Sequence, residues 1–461
     1  MTLALNLTIF GGTGDLTFRK LIPALYMMSR TGNLSKDSRV LIIGRRNYTS
    51  AQYRAEAETW VRKFTRLKFS DSDYQTFAGQ VEYYQMDFTS QAAYADLGKF
   101  LTQKKIKEHI FYFAVAPRFF AAITDGLASI EGLNHSKIIL EKPFGENLEQ
   151  AKELNSKLEK FLGKDGIYRI DHYLGKEMVR NMQTIRFANQ VFRNVWNHDA
   201  IAAVEISAME DVGVETRGDY YDASGALKDM VQNHLFQVMT ILAMEEPAAF
   251  TAEEIHKEQL KVLHALHKPE AKSLVLGQYE GYRQEPKVAS DSDTETYACL
   301  KLLLDNERWQ GTPFYIRTGK KTGVRETEVS VFFKKVRDDV EPDVLQIMIQ
   351  PTEGVVFRFN IKQPGESEAI VPAEMNFCQS CNIEFHRNTP EAYERLLAAC
   401  MKGDQAWFSQ WDQIEESWAY IEKLKQAAAK AGLPVHTYVP GSRGPQEAEE
   451  LLAQDGLKWL E

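Results

Sequence analysis

The first 170 residues alternate between short apolar runs rich in β-formers and longer amphipathic stretches rich in Ala, Glu and Lys. Six runs qualify as strands: Leu3–Phe10, Arg39–Ile43, Val81–Gln85, His109–Val115, Lys137–Leu140 and Ile167–Ile170. Alternation of this kind predicts a doubly wound parallel sheet with helices on both faces. Because ligands bind such sheets at the carboxyl ends of the strands, the residues that follow each strand are the first candidates for function.

The pattern changes after about residue 171. Helical patterns at Lys176–Asn189 and Ala223–Met244 surround a strand candidate at Ala202–Ala208. Several alternating runs follow: Tyr297–Leu303, Glu328–Phe333, Leu345–Ile349 and Val355–Ile361. They lie too close together for crossover helices, so we predict a mostly antiparallel sheet.

The C-terminal hundred residues return to helix, at Pro390–Met401 and Trp411–Ala431, and end in a Gly/Pro-rich tail. The predicted fold is therefore α/β plus α+β. We expect a Rossmann-like dinucleotide-binding domain over residues 1–171. A larger α+β domain for substrate binding and dimerisation is expected over residues 172–461.

Charge and hydropathy narrow the class of protein. The formal net charge is −9, which argues against a nucleic-acid partner. No uncharged apolar run approaches the roughly 18 residues that a membrane span needs. The apolar start of the chain runs straight into glycines and predicts a strand, not a signal peptide. We therefore expect a soluble, cytoplasmic protein.

Four cysteines in 461 residues are too few for a disulfide scaffold, which favours a reducing compartment. The one close pair is Cys378 and Cys381, with His386 nearby. A metal or redox site is one interpretation. We favour two ordinary buried thiols, because no second pair completes a zinc-binding set, and we predict no metal.

The first candidate strand ends in a glycine-rich turn, Gly11-Gly12-Thr13-Gly14-Asp15-Leu16. Glycines at a strand-to-helix turn let the backbone approach a pyrophosphate, which the amides at the helix start then hold. Thr17 replaces the third glycine of the usual fingerprint, and the turn lacks the Gly-Lys-Ser/Thr ending of a P-loop, which disfavours a kinase or ATPase. A purely structural turn is the alternative.

Two arginines, Arg45 and Arg46, follow the second strand, and no acid lies between Ser38 and Ser50. Asp or Glu at this place usually meets a free ribose 2′-hydroxyl, whereas Arg accommodates a 2′-phosphate. The pattern therefore favours NADP. Two solvated surface arginines are the alternative interpretation.

Three further clusters could carry chemistry. The fifth strand runs into Glu141-Lys142-Pro143, which places a lysine near a ligand or simply on the surface. The sixth runs into Arg169-Ile170-Asp171-His172-Tyr173-Leu174-Gly175-Lys176, where the imidazole, phenol and ammonium are a plausible phosphate-binding set. A third cluster ends at His234 in a helical stretch. A histidine oriented by a carboxylate suits the base that alcohol oxidation needs, although a lone helical histidine is more often structural.

Taken together, these segments resemble the glucose-6-phosphate dehydrogenase family. The matching stretches run in order from residue 11 to beyond residue 400: GGTGDL, EKPFG, RIDHYLGKE, IRFANQVFRNVWN, DMVQNH, DNERWQGTPFYIRTGK and PEAYERLLAACMKGDQAWF. The resemblance covers nearly the whole chain. RIDHYLGKE is very specific, whereas EKP is shared with other sugar oxidoreductases of the glucose–fructose oxidoreductase type.

The resemblance implies oxidation of D-glucose 6-phosphate at C1 to 6-phosphoglucono-1,5-lactone, the first step of the oxidative pentose phosphate pathway. The implied coenzyme is NADP, with NAD as an alternative. The implied coenzyme-binding residues are Gly11, Gly12, Thr13, Gly14, Asp15, Leu16, Arg45, Arg46, Asp87, Phe88, Pro117 and Lys142. The implied sugar-phosphate residues are Lys142, His172, Tyr173, Lys176, Glu210, Asp229, Lys320 and Arg325. A homodimer or a dimer of dimers is also implied.

The same resemblance makes His234 the general base and Asp171 the carboxylate that orients it. A carboxylate bound to one ring nitrogen fixes the tautomer and leaves the other nitrogen free to accept a proton. A phosphate grip far from the reacting carbon supplies binding energy and orientation. Two other functions remain open from the residues: an oxidoreductase for a different sugar, and a non-enzymatic dinucleotide-binding regulator. The presence of the complete catalytic set disfavours the regulator.

Overall fold

A computed structural model describes residues 4–103, 106–145, 147–381 and 389–460. The chain divides into two compact units. The first comprises residues 1–175 and 389–411, and the second comprises residues 176–388 and 412–461. A single division after residue 171 was expected. The observed first unit extends to Gly175 and includes a later segment that returns to it, for which no local sequence pattern gives a signal.

A six-stranded parallel sheet organises the first unit, with the strand order β3-β2-β1-β4-β5-β6. The strands are β1 Leu5–Phe10, β2 Arg39–Gly44, β3 Val81–Gln85, β4 Glu108–Phe113, β5 Lys137–Leu140 and β6 Ile167–Arg169. Every residue of β1 and β2 is buried, as expected for central strands covered on both faces. The predicted doubly wound sheet is confirmed. Leu3, included in the first predicted strand, lies outside the described residues.

Helices cover this sheet. They are α1 Ile22–Arg30, α2 Ser50–Phe64, α3 Asp71–Ala78, α4 Ala93–Thr102, α5 Phe120–Ala128, α6 Leu148–Leu162 and, from the returning segment, α12 Ala392–Lys402. A π-type helical turn, Thr17–Leu21, leads into α1. One apolar core joins β1 and β4 to α1 and α12, through residues such as Ile9, Tyr112, Leu25 and Leu396. The returning segment is therefore part of the core that supports the sheet.

A nine-stranded sheet organises the second unit, with the order β14-β13-β12-β11-β7-β10-β9-β8-β15. Its strands are β7 Ile201–Met209, β8 Leu274–Tyr279, β9 Tyr297–Leu302, β10 Phe314–Gly319, β11 Glu326–Phe333, β12 Val344–Gln350, β13 Gly354–Lys362, β14 Ile370–Cys378 and β15 Val435–Tyr438. The β7–β10 and β8–β15 pairs are parallel and the others are antiparallel, so the predicted mostly antiparallel sheet is confirmed.

The helices of the second unit are α7 Glu177–Ala188, α8 Gln190–Arg193, α9 Gly218–Ala226, α10 Phe236–Ala243, α11 Ala252–His264, α13 Trp411–Ala431 and α14 Gln446–Ala453. Between α9 and α10 lies a π-type helix, Leu227–Leu235. Within the described ranges, no helix is both long and apolar enough to span a bilayer.

The structure overturns one expectation about the cysteines. Cys378 and Cys381 form a disulfide at the end of β14, and Cys381 is exposed, so two buried thiols was the wrong interpretation. Cys299 and Cys400 are the buried free thiols. His386, the third member of the metal or redox alternative, lies outside the described residues. A three-residue spacing fits a disulfide as well as a metal pair, so spacing alone could not decide between them.

Candidate active site

The glycine turn after β1 is built for close backbone approach. Gly11 has a φ of +84°, and a Cβ there would lie 2.2 Å from the Ala114 carbonyl oxygen. A Cβ on Gly12 would lie 2.0 Å from Cγ2 of Ile42. The amides of Gly11 and Gly12 both donate to the Ile43 carbonyl, which fixes the turn against β2. Only glycine fits at these two positions, as a dinucleotide-binding turn requires.

Thr17 occupies the place of the third glycine without disturbing the turn. Its side chain is buried, and its hydroxyl donates to the Gly11 carbonyl at 3.2 Å. Asp15 and Gly14 are exposed, whereas Leu16 is half-buried. The departure from the usual fingerprint therefore ties the helix start to the turn by an additional hydrogen bond.

The arginines after β2 lie beside this turn. A Cβ on Gly44 would meet Cγ2 of Thr13 at 3.2 Å, so the ends of β1 and β2 are in contact. Arg45 and Arg46 are exposed, and the Arg46 carbonyl accepts the Tyr83 hydroxyl at 2.7 Å. The structure thus places two guanidinium groups next to the predicted pyrophosphate turn, with their backbone held by β3.

Asp87, Phe88 and Pro117 follow β3 and β4 at the same edge of the sheet. The Asp87 carboxylate accepts the Thr89 hydroxyl at 2.7 Å and its amide at 3.0 Å, and these bonds lower the pKa of Asp87. Phe88 is buried, and its ring packs at 5.3 Å from that of Phe119, in the turn that Pro117 begins. Phe88 therefore contributes to the packing at this edge of the sheet, whereas Asp87 is exposed there.

The EKP segment begins at the carboxyl end of β5. The Glu141 carboxylate accepts the Tyr112 hydroxyl at 2.5 Å and also a hydrogen bond from Tyr393. The Lys142 ammonium acts electrostatically on the same carboxylate. Lys142 is half-buried and precedes Pro143 through a cis peptide bond. Lys142, which is predicted to contact both coenzyme and sugar, thus lies beside the Glu141 carboxylate, which two tyrosine hydroxyls hold in place.

The loop after β6 holds Asp171, His172 and Tyr173. Asp171 is 4% exposed, and its carboxylate accepts the Tyr173 amide at 2.9 Å, which closes a tight turn. The rings of His172 and Tyr173 meet edge to face at 5.1 Å. The returning segment fixes the end of this loop, because Arg395 Nε donates to the Gly175 carbonyl at 2.7 Å.

Lys176 begins the second unit, at the N-terminus of α7. Its ammonium donates to Oε1 of Gln350, the last residue of β12. Sequence reasoning missed Gln350, whose one signal is its place at the end of a strand and before Pro351. The contact gives the predicted phosphate-binding lysine a fixed polar neighbour.

Glu210 and Lys320 meet at 2.5 Å, Oε2 to Nζ. They follow β7 and β10, which pair in parallel with Met209 beside Gly319, so both side chains leave the sheet at the same edge. Lys320 also lies 5.1 Å from the centre of the Tyr221 ring. Arg325, the further candidate, is exposed in the loop before β11.

Asp229 and His234 lie on the π-type helix Leu227–Leu235, at 6% and 0% exposure. Residues five apart point about 140° from each other in an α-helix of 3.6 residues per turn. In π-type bonding, residue i bonds to residue i+5, so Asp229 and His234 lie one above the other. Tyr220 donates to the Asp229 carboxylate at 3.1 Å. The irregular helix therefore places both predicted side chains on one side.

Glu295 sets the start of this helix. Its side chain accepts the Leu227 amide at 3.2 Å, and its carbonyl accepts the Ala226 amide at 2.9 Å. Gly225 has a φ of +68°, and a Cβ there would lie 2.4 Å from Oε1 of Glu295. Sequence reasoning noticed the cluster that ends at His234 but not Glu295, which lies 68 residues after Leu227.

The structure thus brings together several predicted residues within each unit. The glycine turn, the arginines, Lys142 and the Asp171 loop share one edge of the parallel sheet, as the strand topology dictates. Glu210 pairs with Lys320, and Asp229 shares a helix with His234. The pairing of Asp171 with His234 joins residues of different units and stays a prediction.

Comparison with known proteins identifies the lineage. The family described as "Glucose-6-phosphate dehydrogenase, NAD binding domain" matches residues 8–181, and "Glucose-6-phosphate dehydrogenase, C-terminal domain" matches residues 183–460. Glucose-6-phosphate 1-dehydrogenase of Bacillus subtilis is 38% identical over 98% of this chain and 97% of its own.

Two solved structures are similar over their whole length. A glucose-6-phosphate dehydrogenase in complex with its substrate glucose-6-phosphate has a TM-score of 0.92 and 32% identity, over 100% of this chain and 99% of its own. Glucose-6-phosphate 1-dehydrogenase from Mycobacterium avium has a TM-score of 0.89 and 32% identity at the same coverage. Both halves of the chain, their sequence and their fold therefore agree, and the chain belongs to the glucose-6-phosphate dehydrogenase family.

Proposed function

We propose that this protein is an NADP-dependent glucose-6-phosphate 1-dehydrogenase. It oxidises D-glucose 6-phosphate at C1 to 6-phosphoglucono-1,5-lactone. The observation that carries the proposal is the full-length relationship to enzymes of that name, together with the intact RIDHYLGKE segment at the end of β6. A regulator on the same fold would have no need to keep all of these groups.

The coenzyme half of the proposal rests on the edge of the parallel sheet. Gly11 and Gly12 let the turn after β1 pack closely against Ala114 and Ile42, where a Cβ at either position would clash. A pyrophosphate would bind to the backbone amides of this turn and of the helix start. Arg45 and Arg46 offer two exposed guanidinium groups to a ribose 2′-phosphate, which favours NADP over NAD. When bound, this coenzyme supplies the hydride acceptor. The chain's own contribution is to hold and orient it.

The sugar half rests on cationic and acidic side chains at defined places. His172, Tyr173 and Lys176 would bind the 6-phosphate, and Lys142 would touch both sugar and coenzyme. Glu210 and Asp229 would bind the hydroxyl groups, and Lys320 and Arg325 would close the site. Binding energy from the phosphate end orients C1 for reaction, which gives glucose 6-phosphate its advantage over glucose.

His234 would accept the proton of the C1 hydroxyl as C1 gives up its hydride. The His234 side chain is fully buried. Asp171 would fix the ring tautomer and stabilise the imidazolium that forms.

The test is a steady-state assay of nicotinamide reduction with glucose 6-phosphate and either NADP or NAD. We expect turnover with NADP at a higher kcat/KM than with NAD. His234→Asn should lower kcat about 10²- to 10⁴-fold with little change in KM. A folded wild-type protein without turnover on glucose 6-phosphate would overturn the proposal, and equal activity with glucose would favour the other sugar oxidoreductase.

We also propose a homodimer, or a dimer of dimers, that works in the cytoplasm. The exposed apolar side chains of β13 and β14 support an assembly surface on the large sheet: Ile361, Ile370, Met375 and Phe377. A phosphorylated sugar and a nicotinamide coenzyme as reactants favour the cytoplasmic location.

A further inference from the structure

Glu141 is the one carboxylate in the EKP segment. The proposed function assigns a role to Lys142 but none to Glu141. It is the first residue after β5, directly before Lys142. Two phenols donate to it. Tyr112 comes from the neighbouring strand β4, and Tyr393 comes from α12, on the segment that returns to the first unit. Two elements distant in sequence thus converge on one side chain.

Burial disfavours the ionised form of Glu141, whereas the two phenols favour it. Tyr112 is fully buried in the apolar core that also contains Ile139, two residues before Glu141 on β5. Burial raises the pKa of Glu141, and the charge of Asp171 raises it further, while the two phenols and Lys142 lower it. An apolar residue here would avoid the cost of burying a carboxylate. Stability alone therefore does not explain a carboxylate at this position.

The two phenols are dedicated donors. Burial raises the pKa of Tyr112 and of Tyr393, and the nearby Glu141 charge raises both again. Both hydroxyls therefore stay protonated at every working pH, and Glu141 is the member of this cluster that titrates. A carboxylate with two fixed donors has a fixed position and no freedom to turn.

We propose that Glu141 is a positioning residue that holds the Lys142 ammonium at the carboxyl end of β5, with Tyr112 and Tyr393 as its clamp. The inference rests on the function proposed above, in which Lys142 touches both coenzyme and sugar. Glu141 does not touch either reactant. It acts through Lys142, and the returning segment contributes to the site through the Tyr393 hydroxyl.

Four substitutions separate charge, reach and packing. Glu141→Gln keeps the size and one acceptor oxygen but removes the charge, and Glu141→Asp keeps the charge but falls short of both phenols. Tyr393→Phe removes one donor. Tyr168→Phe is the matched control, because Tyr168 is another buried tyrosine of the same core on β6.

We expect Glu141→Gln to raise KM for glucose 6-phosphate and for NADP together and to lower kcat/KM about 10- to 100-fold, as loss of a group that orients a ligand does. Glu141→Asp and Tyr393→Phe should each fall between this variant and the wild type. Tyr168→Phe should match the wild type. In the wild type, acidification should raise the coenzyme KM as Glu141 takes up a proton, whereas Glu141→Gln should show no such step.

Thermal unfolding supplies the readout that a structural role would not give. Because the folded-state pKa of Glu141 is raised, its ionised form costs stability as the pH rises through that pKa. Glu141→Gln should therefore unfold at the same temperature as the wild type, or higher, at neutral pH while its kinetics fail. A lower melting temperature with proportionate loss of activity would overturn the inference, as would unchanged KM values.

Failure of the proposed function would look different. If the wild type does not turn over glucose 6-phosphate, NADPH fluorescence titration still compares the wild type with Glu141→Gln. If Glu141→Gln binds NADPH more weakly than the wild type does, the role of Glu141 in holding Lys142 is upheld. Equal binding would overturn it.

Discussion

Glu205 lies within β7, at 3% exposure, where its Oε2 atom accepts the Leu460 amide at 3.2 Å. Burial raises the pKa of Glu205 to about 8, against the opposing effects of that amide and of Arg317, while Glu328 and Glu449 add to the rise. A carboxyl whose pKa is higher in the folded state than the ordinary 4.5 stabilises the fold at low pH. That stability is lost as the pH rises toward about 8.

We therefore expect Glu205→Gln to be more stable than the wild type at pH 8.5, by roughly 1–3 kcal/mol or a few degrees, and to lose this advantage at pH 5. Thermal unfolding at the two pH values measures both. Glu450→Gln, on the exposed face of α14, is the control and should change neither value. A pH-independent difference between Glu205→Gln and the wild type would contradict the assignment.

At the scale of single residues, the sequence identifies candidate functional groups by their position relative to the predicted strands. Lys142, Asp171 and His172 lie two or three residues after the ends of strands, so the sheet topology alone predicts where they lie. The partners of Tyr393 and Gln350 cannot be predicted in this way, because each contact forms only through tertiary structure: Tyr393 is 252 positions from Glu141, and Gln350 is 174 from Lys176. Residues that support a functional group are therefore harder to predict than the group itself.

Among the elements, the π-type helix Leu227–Leu235 contains two of the predicted site residues, Asp229 and His234. Its start depends on Gly225, where a Cβ would lie 2.4 Å from Glu295 Oε1. We predict that Gly225→Ala displaces this helix and lowers kcat about 10-fold or more, because a small misplacement of a catalytic group is costly. Steady-state kinetics on glucose 6-phosphate measure the loss.

Gly432→Ala is the matched control for that change. Gly432 also has a positive φ, +62°, but no atom lies within 4 Å of a Cβ built there. It should show the backbone strain of a left-handed alanine, roughly 1 kcal/mol of stability, with normal kcat. Normal kcat in Gly225→Ala would show that the helix does not depend on this break.

Two elements differ from what hydrophobic periodicity predicts. The single helical pattern predicted at Ala223–Met244 is three pieces in the structure, divided at Gly225 and at the π-type segment. Strand β14 was not predicted, because most of its residues are exposed and it contains Pro372, so it lacks the alternation of a half-buried strand. The first irregularity falls on predicted site residues, and the second falls on a strand that is mostly exposed to solvent.

For the whole molecule, the parallel class of the first sheet and the mostly antiparallel class of the second followed from alternation and spacing, but the membership of residues 389–411 in the first unit did not. That segment matched a helical pattern equally well in either unit. Its placement depends on tertiary contacts such as the buried ion pair of Arg66 with Glu394 at 2.8 Å and the Lys137 ammonium bonded to the Cys400 carbonyl at 2.9 Å. The local sequence of residues 389–411 does not predict that Glu394 pairs with Arg66 or that the Cys400 carbonyl accepts from Lys137.

The large sheet carries the last prediction, which concerns assembly. β14 pairs with β13 through nine residues, and Met375 and Phe377 on it are 57% and 48% exposed. An edge strand with exposed apolar side chains is a template for pairing with another chain unless it is covered. We expect sedimentation velocity to give twice the chain mass or more, and Phe377→Asp to shift the protein toward monomer. Val336→Asp, at a position that is 87% exposed in the loop after β11, should leave the mass unchanged. A monomeric wild type would contradict the proposed assembly. A dimer that Phe377→Asp leaves unchanged would show that the interface lies elsewhere.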